Sequence, residues 1–153
     1  SLTNRDTFDM NLDEIQAQWE QDSDIDRTEL GAESLRIGKL HSKYFKFFST
    51  ERMRLKQMEQ QYRQLYKTRY DYYMGILDID TLRENGWEPN PLKILKTDIP
   101  MHLDADRILQ DQQLRVDLQR EKVDLLESII KHLPNRGFNI KSAIEWAKFQ
   151  HGG

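Results

Sequence analysis

The stretch QLYKTRYDYYMG, Gln64 to Gly75, sets Lys67 and Arg69 among four tyrosines, Tyr66, Tyr70, Tyr72 and Tyr73. Cations interleaved with flat rings are what a single-stranded nucleic acid requires, because the cations displace counterions from phosphates and the rings stack on unpaired bases. The basic tract is long. From Arg36 to Tyr70 there are ten Lys and Arg residues against only Glu51 and Glu59, a local excess of eight in a chain whose net charge is −3, so the remainder carries −11. Whole-chain charge conceals this segregation. Lys56, Arg63 and Lys67, and likewise Lys39, Lys43 and Lys46, recur at helical spacings and share faces; Arg52 and Arg54 add to the same tract. The competing account is a solvated basic face paired with acids on neighbouring helices. So much length with two acids favours anion binding, with Lys43, Lys46, Arg54, Lys56, Arg63, Lys67 and Arg69 as candidate phosphate ligands and Tyr66 and Tyr70 as stacking surfaces. Tyr44, Tyr62 and Tyr72 fall on apolar rows and are expected in the core.

Other constellations carry less. In DSDIDRTELGAE, Asp22, Asp24, Asp26 and Glu33 occupy ligand positions of a calcium loop, but the position that needs glycine for its sharp turn holds Arg27. Asp26 followed by Glu29 has the form of a helix capping box instead. His41, His102, His132 and His151 lie in four segments with no second ligand at helical spacing. Asp78 and Asp80 have the residue types of a nuclease pair, yet neither the sheet that usually carries such sites nor a glycine-rich phosphate loop accompanies them. The chain has no cysteine. Neither metal, cofactor nor enzymatic activity is expected, and no apolar run is long enough to span a bilayer.

The elements that position these residues read as all-α. Ser1–Met10 is polar and aperiodic, an expected loose arm. Asn11 caps a short helix to about Gln21. A long helix follows, with Leu30, Ile37, Tyr44, Met58, Leu65 and Tyr72 on a seven-residue row whose one polar member is Glu51, and Phe48, Leu55 and Tyr62 beside it. About 45 residues would span roughly 65–70 Å. Gly75 ends it, and Gly86, Pro89, Pro91 and Pro100 mark a loop to residue 103, with Leu92 to Leu95 compatible with a short strand or a docked extended segment. A second heptad helix is expected from about Asp104 to Leu133, carrying Leu109, Val116, Val123 and Ile130. Its second apolar row, Leu114, Leu118, Leu125 and Ile129, implies more than one neighbour. Pro134 and Gly137 are expected to stop it before a last short helix capped by Asn139. The expected division is an arm over 1–10, a DNA-binding helical part over 11–103 and C-terminal helices over 104–153, together one continuous structural unit.

Three of these segments carry a family resemblance. IDRTEL, LYKTRYDYYMG and NRGFNIKSAIEWAKF resemble, in the same order and spacing, the long-helix entry, the Lys-x-Arg motif with its Asp-Tyr-Tyr and glycine, and the closing Arg-Gly-Phe segment of the UvsY family, recombination mediators of T-even-type bacteriophages. The resemblance implies a non-enzymatic protein in the cytoplasm of the infected host. It implies binding to single-stranded DNA and to the phage single-strand-binding protein, and loading of the RecA-like recombinase UvsX. It places the family's DNA-contacting cations at Lys67 and Arg69, with Thr68 and Tyr70 departing from the family's small and apolar neighbours. It also implies a ring-forming homo-oligomer, hexamer or heptamer, with Val116, Val123, Leu126, Ile130, Leu133, Ile140 and Ile144 helping to bury subunit contacts. The alternative is a coiled-coil protein–protein adaptor that does not touch DNA.

Overall fold

The computed structural model describes residues 10–152, and among these the regular structure is entirely helical. The helices are α1 (Leu12–Ser23), α2 (Leu30–Met74), α3 (Ile79–Asn85), α4 (Ile99–Asp104) and α5 (Arg107–Gln150), with a 3₁₀ turn at Lys96–Asp98 leading into α4. The arm expected over Ser1–Met10 lies outside the described residues except for Met10, which packs on the core below.

Local chemistry explains most boundaries. Asn11 caps α1 by accepting the Glu14 N–H at 2.8 Å. Asp26 does not form the expected capping box. Its carboxylate accepts the N–H and hydroxyl of Thr28, at 2.9 and 2.6 Å, in a two-residue side-chain turn, and α2 opens four residues later. At the other end Gly75 adopts φ +75°, and Ile76 N–H reaches back to the Asp71 carbonyl at 3.1 Å, closing α2.

Contacts cluster into two compact units, and chain order does not separate them: one contains the described residues up to Met53 and from Gln119 onward, the other is Arg54–Leu118. In the first, Ile15, Leu40, Tyr44, Leu126, Ile129 and Leu133 form the core. Tyr44 meets Trp19 and Phe47 edge-on, at ring distances of 5.4 and 5.8 Å. Its hydroxyl, together with Lys43 Nζ, donates to the Asp22 carboxylate, at 2.8 and 2.6 Å, which ties the end of α1 to α2. Burial disfavours that carboxylate, but the hydrogen bonds from Lys43, Tyr44 and Gln18 outweigh it and hold its pKa below the ordinary range. Glu51, the polar member of the heptad row, is 2% exposed. Its carboxylate accepts Gln119 Nε2 at 2.6 Å and its carbonyl accepts the same nitrogen at 2.9 Å.

In the second unit Ile99, Leu103 and Leu109 are buried against Tyr62, Leu65, Tyr70, Tyr73 and Ile94. The expected loop over 75–103 is not all loop, since α3, the 3₁₀ turn and α4 lie within it. Leu92 to Leu95 form no strand; Ile94 packs inward while Leu92 and Leu95 are exposed.

The largest correction concerns α5, which runs without interruption through Pro134 and Gly137. Asn139 is therefore an exposed helix-interior residue and not a cap. Leu126, Ile129, Leu133, Arg136 and Ile140, at spacings of three and four, are all buried. That stripe crosses the proline unchanged. A helix-interior proline costs about 3 kcal/mol, less than the burial of two or three large apolar side chains contributes at about 1.5–3 kcal/mol each. A Cβ added at Gly137 would meet only Ile37 Cγ2, at 3.9 Å. Gly137→Ala is thus expected to raise stability by about 1 kcal/mol, and Pro134→Ala to raise both stability and helical circular dichroism. A loss of stability in both variants would mean that the chain breaks helix here.

Candidate nucleic-acid interface

Arg69 organises the end of α2. It is 7% exposed. Its Nε donates to Asp106 Oδ2 at 2.7 Å, and Tyr73 Oη donates to the same oxygen at 2.8 Å. The guanidinium carbon lies 4.2 Å from the Tyr72 ring centroid, 4.5 Å from Trp87 and 5.2 Å from Tyr73. A planar cation suits this cage, since its faces stack while its edge donates. Asp106 serves a second purpose. Its other oxygen accepts the Leu109 N–H at 3.1 Å, so it is the N-cap of α5. Burial disfavours the Asp106 carboxylate, but the hydrogen bonds from Arg69, Tyr73 and Leu109, with the attraction of Arg69, hold its pKa below the ordinary value of 3.8. Burial and the bond to Asp106 push the Tyr73 phenol up.

Trp87 reaches this cage because α3 ends correctly. Asp78, considered above as a nuclease residue, caps α3 through Thr81 N–H and Oγ1 at 3.0 and 2.7 Å. Gly86 takes φ +69° at the other end, and Trp87 N–H returns to the Leu82 carbonyl at 2.9 Å. Tyr72 Oη donates to the Glu88 carbonyl at 2.9 Å, fastening the following residue as well. Neither Trp87 nor Asp106 stands out in the sequence. The signal for Asp106 is its position three residues before Leu109, the first member of the heptad row.

The remaining candidate ligands differ in how their charge is used. Lys67 is outward, its side chain 73% exposed, with Asp71 one turn away at 2.7 Å. Such a surface pair is worth only about 0.3–0.5 kcal/mol. Lys56 and Arg63 are exposed and, at the seven- and four-residue steps of the series 56, 63 and 67, share its face; Arg54 is half-buried. Tyr66 is 43% exposed. Tyr70 packs on the Ile99–Leu103–Leu109 core instead of facing outward. Lys43 and Lys46 belong to the other unit, where Lys43 is held by Asp22 and Lys46 is exposed. The seven apolar residues expected between subunits lie largely inside the chain itself: Val116, Val123, Leu126, Leu133 and Ile140 are buried, Ile130 packs on the first core, and Ile144 is half-buried. Asp22, from the calcium-like pattern, is committed to Lys43 and Tyr44.

Two long helices, a caged arginine where one of them ends and exposed cations along its outer face define an all-α protein with a basic helical surface. Residues 18–153 match the family described as the recombination, repair and ssDNA binding protein UvsY, and the chain belongs to that family. A crystal structure of the bacteriophage T4 recombination mediator protein UvsY is similar with a TM-score of 0.80 at 25% identity, covering 94% of this chain and 100% of that one. A second crystal form of the T4 protein gives a TM-score of 0.79 at 24% identity, over 92% of this chain and 99% of that one. Among curated protein sequences none matches significantly. No helix among the described residues is long and apolar enough to cross a membrane.

Removing Arg69 would strand a buried carboxylate. Arg69→Ala is expected to lower urea stability by about 3–5 kcal/mol, and Arg69→Lys to recover only part of it, since an ammonium cannot fill the cage. The Asp106 pKa is depressed in the folded state, so its contribution is full above the ordinary value of 3.8 and is lost as pH falls through the lower folded one. Asp106→Asn should therefore flatten the decline of the urea midpoint below pH 4; an unchanged decline would show that Asp106 is not the group responsible.

Proposed function

We propose that this protein is a recombination mediator that binds single-stranded DNA through phosphate contacts indifferent to sequence, and that it promotes loading of a RecA-like recombinase, UvsX in the family, onto DNA coated by a single-strand-binding protein in an infected bacterial host. The observation that carries this reading is the exposed face of α2 bearing Lys56, Arg63 and Lys67, within a tract of ten cations and two acids. Family membership supports the biological role; the charged face supports the contact.

The burial of Arg69 refines how the Lys-x-Arg motif works. Lys67 touches phosphate directly. Arg69 acts as a positioning residue: its cage fixes the last turns of α2 and so the direction in which Lys67 and Tyr66 point. Arg54, partly buried, contributes to the field more than to direct contact, and Lys43 and Lys46 belong to the other unit and are assigned no contact on this face.

In the proposed hexamer or heptamer, contact between copies falls on apolar side chains that one chain leaves exposed. Phe138, Trp146 and Phe149 are 70%, 61% and 75% exposed on the C-terminal part of α5, and Trp146 stacks on Phe149 at 5.7 Å. Repetition around a ring lets many weak phosphate contacts act together and bends the strand.

Fluorescence anisotropy of a labelled single strand against salt tests the contact. Lys67→Ala should weaken binding and reduce the logarithmic salt slope by about 0.7 for each phosphate it ceases to neutralise, with thermal stability and particle mass unchanged. Equal binding by Lys67→Ala and the native protein would remove Lys67 from the interface, and absence of binding by both would leave a protein–protein adaptor. Trp146→Glu with Phe149→Glu should reduce the mass in light scattering without lowering stability, whereas Val123→Asp should unfold the chain. Retained mass in the exposed pair would rule out that surface.

A further inference from the structure

We infer that a cleft between the tyrosine face of α2 and the start of α5 is a pocket for one unstacked nucleobase, of the kind that carries an exocyclic amino group. This inference rests on the single-strand reading above and adds a base-binding component to it.

The cleft is about 470 Å³ and lies wholly within Arg54–Leu118. That volume is in the range of clefts that take small planar ligands. Tyr62 and Tyr66 form one wall, with ring centroids 6.4 Å apart and planes tilted by 44°. They make a bent wall and not a closed sandwich, and Tyr66, 43% exposed, leaves ring surface for a base to cover. Leu103 and Leu109, each 3% exposed, supply the apolar floor, and Leu114, 67% exposed, forms the lip.

The polar lining selects which end of a nucleotide enters. Besides the two tyrosines, it consists of Asp104, Gln110 and Gln113. A carboxylate repels phosphate, so the sugar–phosphate end is refused. The cations stand outside. Successive helix residues turn by about 100°, so Arg63 and Lys67 each lie about that far around α2 from Tyr62 and Tyr66. A strand whose phosphates follow Arg63 and Lys67 has its bases directed around the helix to the cleft.

The lining also selects among bases. Gln110 Nε2 already donates to the Asp104 carbonyl at 3.0 Å, and Gln113 Nε2 donates to the Asp117 carboxylate at 2.9 Å. Each amide keeps one further N–H beside its acceptor oxygen, and Tyr62 and Tyr66 each carry a hydroxyl, but with the two carboxylate oxygens of Asp104 the acceptor lone pairs of the lining outnumber its donors. Cytosine, adenine and guanine each bring a two-hydrogen amino donor to such a lining; thymine brings only its ring N3–H, flanked by two carbonyl oxygens that an acceptor-rich lining repels.

The test uses the full chain and three strands: oligo(dC), oligo(dT), and oligo(dC) of equal length with abasic positions, which keeps every phosphate. Native protein should bind oligo(dC) roughly tenfold more tightly than the abasic strand, the scale of one stacking contact, with the same salt slope for both, and should bind oligo(dT) less tightly than oligo(dC). Leu114→Trp, which fills the lip from an exposed position, should bring oligo(dC) down to the abasic level while salt slope, circular dichroism and mass stay native. Tyr66→Ala should do the same by removing the wall. Equal native binding of intact and abasic strands overturns the pocket. Equal binding of oligo(dC) and oligo(dT) overturns the choice of base. A Leu114→Trp protein that changes mass but keeps full discrimination against the abasic strand overturns the pocket too and assigns the cleft to contact between chains. If no strand shows salt-dependent binding, the single-strand reading fails first.

Discussion

A charge buried beside a helix end constrains everything around it. Arg69 cannot be neutralised, so once it is enclosed the fold must bring a carboxylate to it, and Asp106 is that group. The same carboxylate starts α5, so the end of one long helix and the beginning of the other are fixed by a single contact. Trp87 and Tyr72 cover the guanidinium, which in turn requires α3 to end in a left-handed glycine that swings Trp87 inward. α2, α3 and α5 thereby share one determinant.

This use of charge changes what the basic tract means. Cations that look equivalent along a sequence have separate tasks: Arg69 and Lys43 satisfy buried or half-buried carboxylates, while Lys56, Arg63 and Lys67 face solvent. The aromatic residues divide in the same way. Tyr44, Tyr72 and Tyr73 commit their hydroxyls to Asp22, Glu88 and Asp106, and Tyr66 keeps its ring outward. Alternation of inward and outward residues two apart, as in Lys67 and Arg69, follows from 3.6 residues per turn, which puts such neighbours about 200° apart. The cation that is seen from outside is held in place by the one that is not.

Much of the fold was legible because periodicity is a long-range signal. The cap of α1, the span of α2 to Gly75, the core roles of Tyr44 and Leu55, and the odd status of Glu51 all follow from spacing and turn chemistry. Two features were not legible. Pro134 and Gly137 are strong local breakers, yet the buried stripe through Leu133, Arg136 and Ile140 overrides them, and only the tertiary contacts of α1 and α2 with α5 reveal how much burial opposes the proline. The partner of Arg69 lies 37 residues away, and nothing in LYKTRYDYYMG distinguishes a caged guanidinium from a free one. The seven apolar residues of α5 illustrate the same difficulty: a heptad row states that a side chain will be covered, and is silent on whether the cover comes from its own chain or from another copy.

Glu51 and Gln119 have a consequence for how the chain finds its structure. They are 68 residues apart in sequence and meet in a largely apolar seam, with the Lys122 ammonium 3.9 Å from the same carboxylate. Heptad seams tolerate sliding by seven residues, because leucine packs against leucine in either alignment, and a polar residue at one position removes that degeneracy. A slip by one heptad in one direction would set the Glu51 carboxylate against Leu126 with no donor to receive it, whereas a slip in the other would meet Gln112. The pair therefore rejects one of the two neighbouring registers outright. A contact so distant in sequence carries a large loop-closure cost before it stabilises anything, so alignment of the two helices is favoured less by proximity along the chain than by the mismatch of the wrong register.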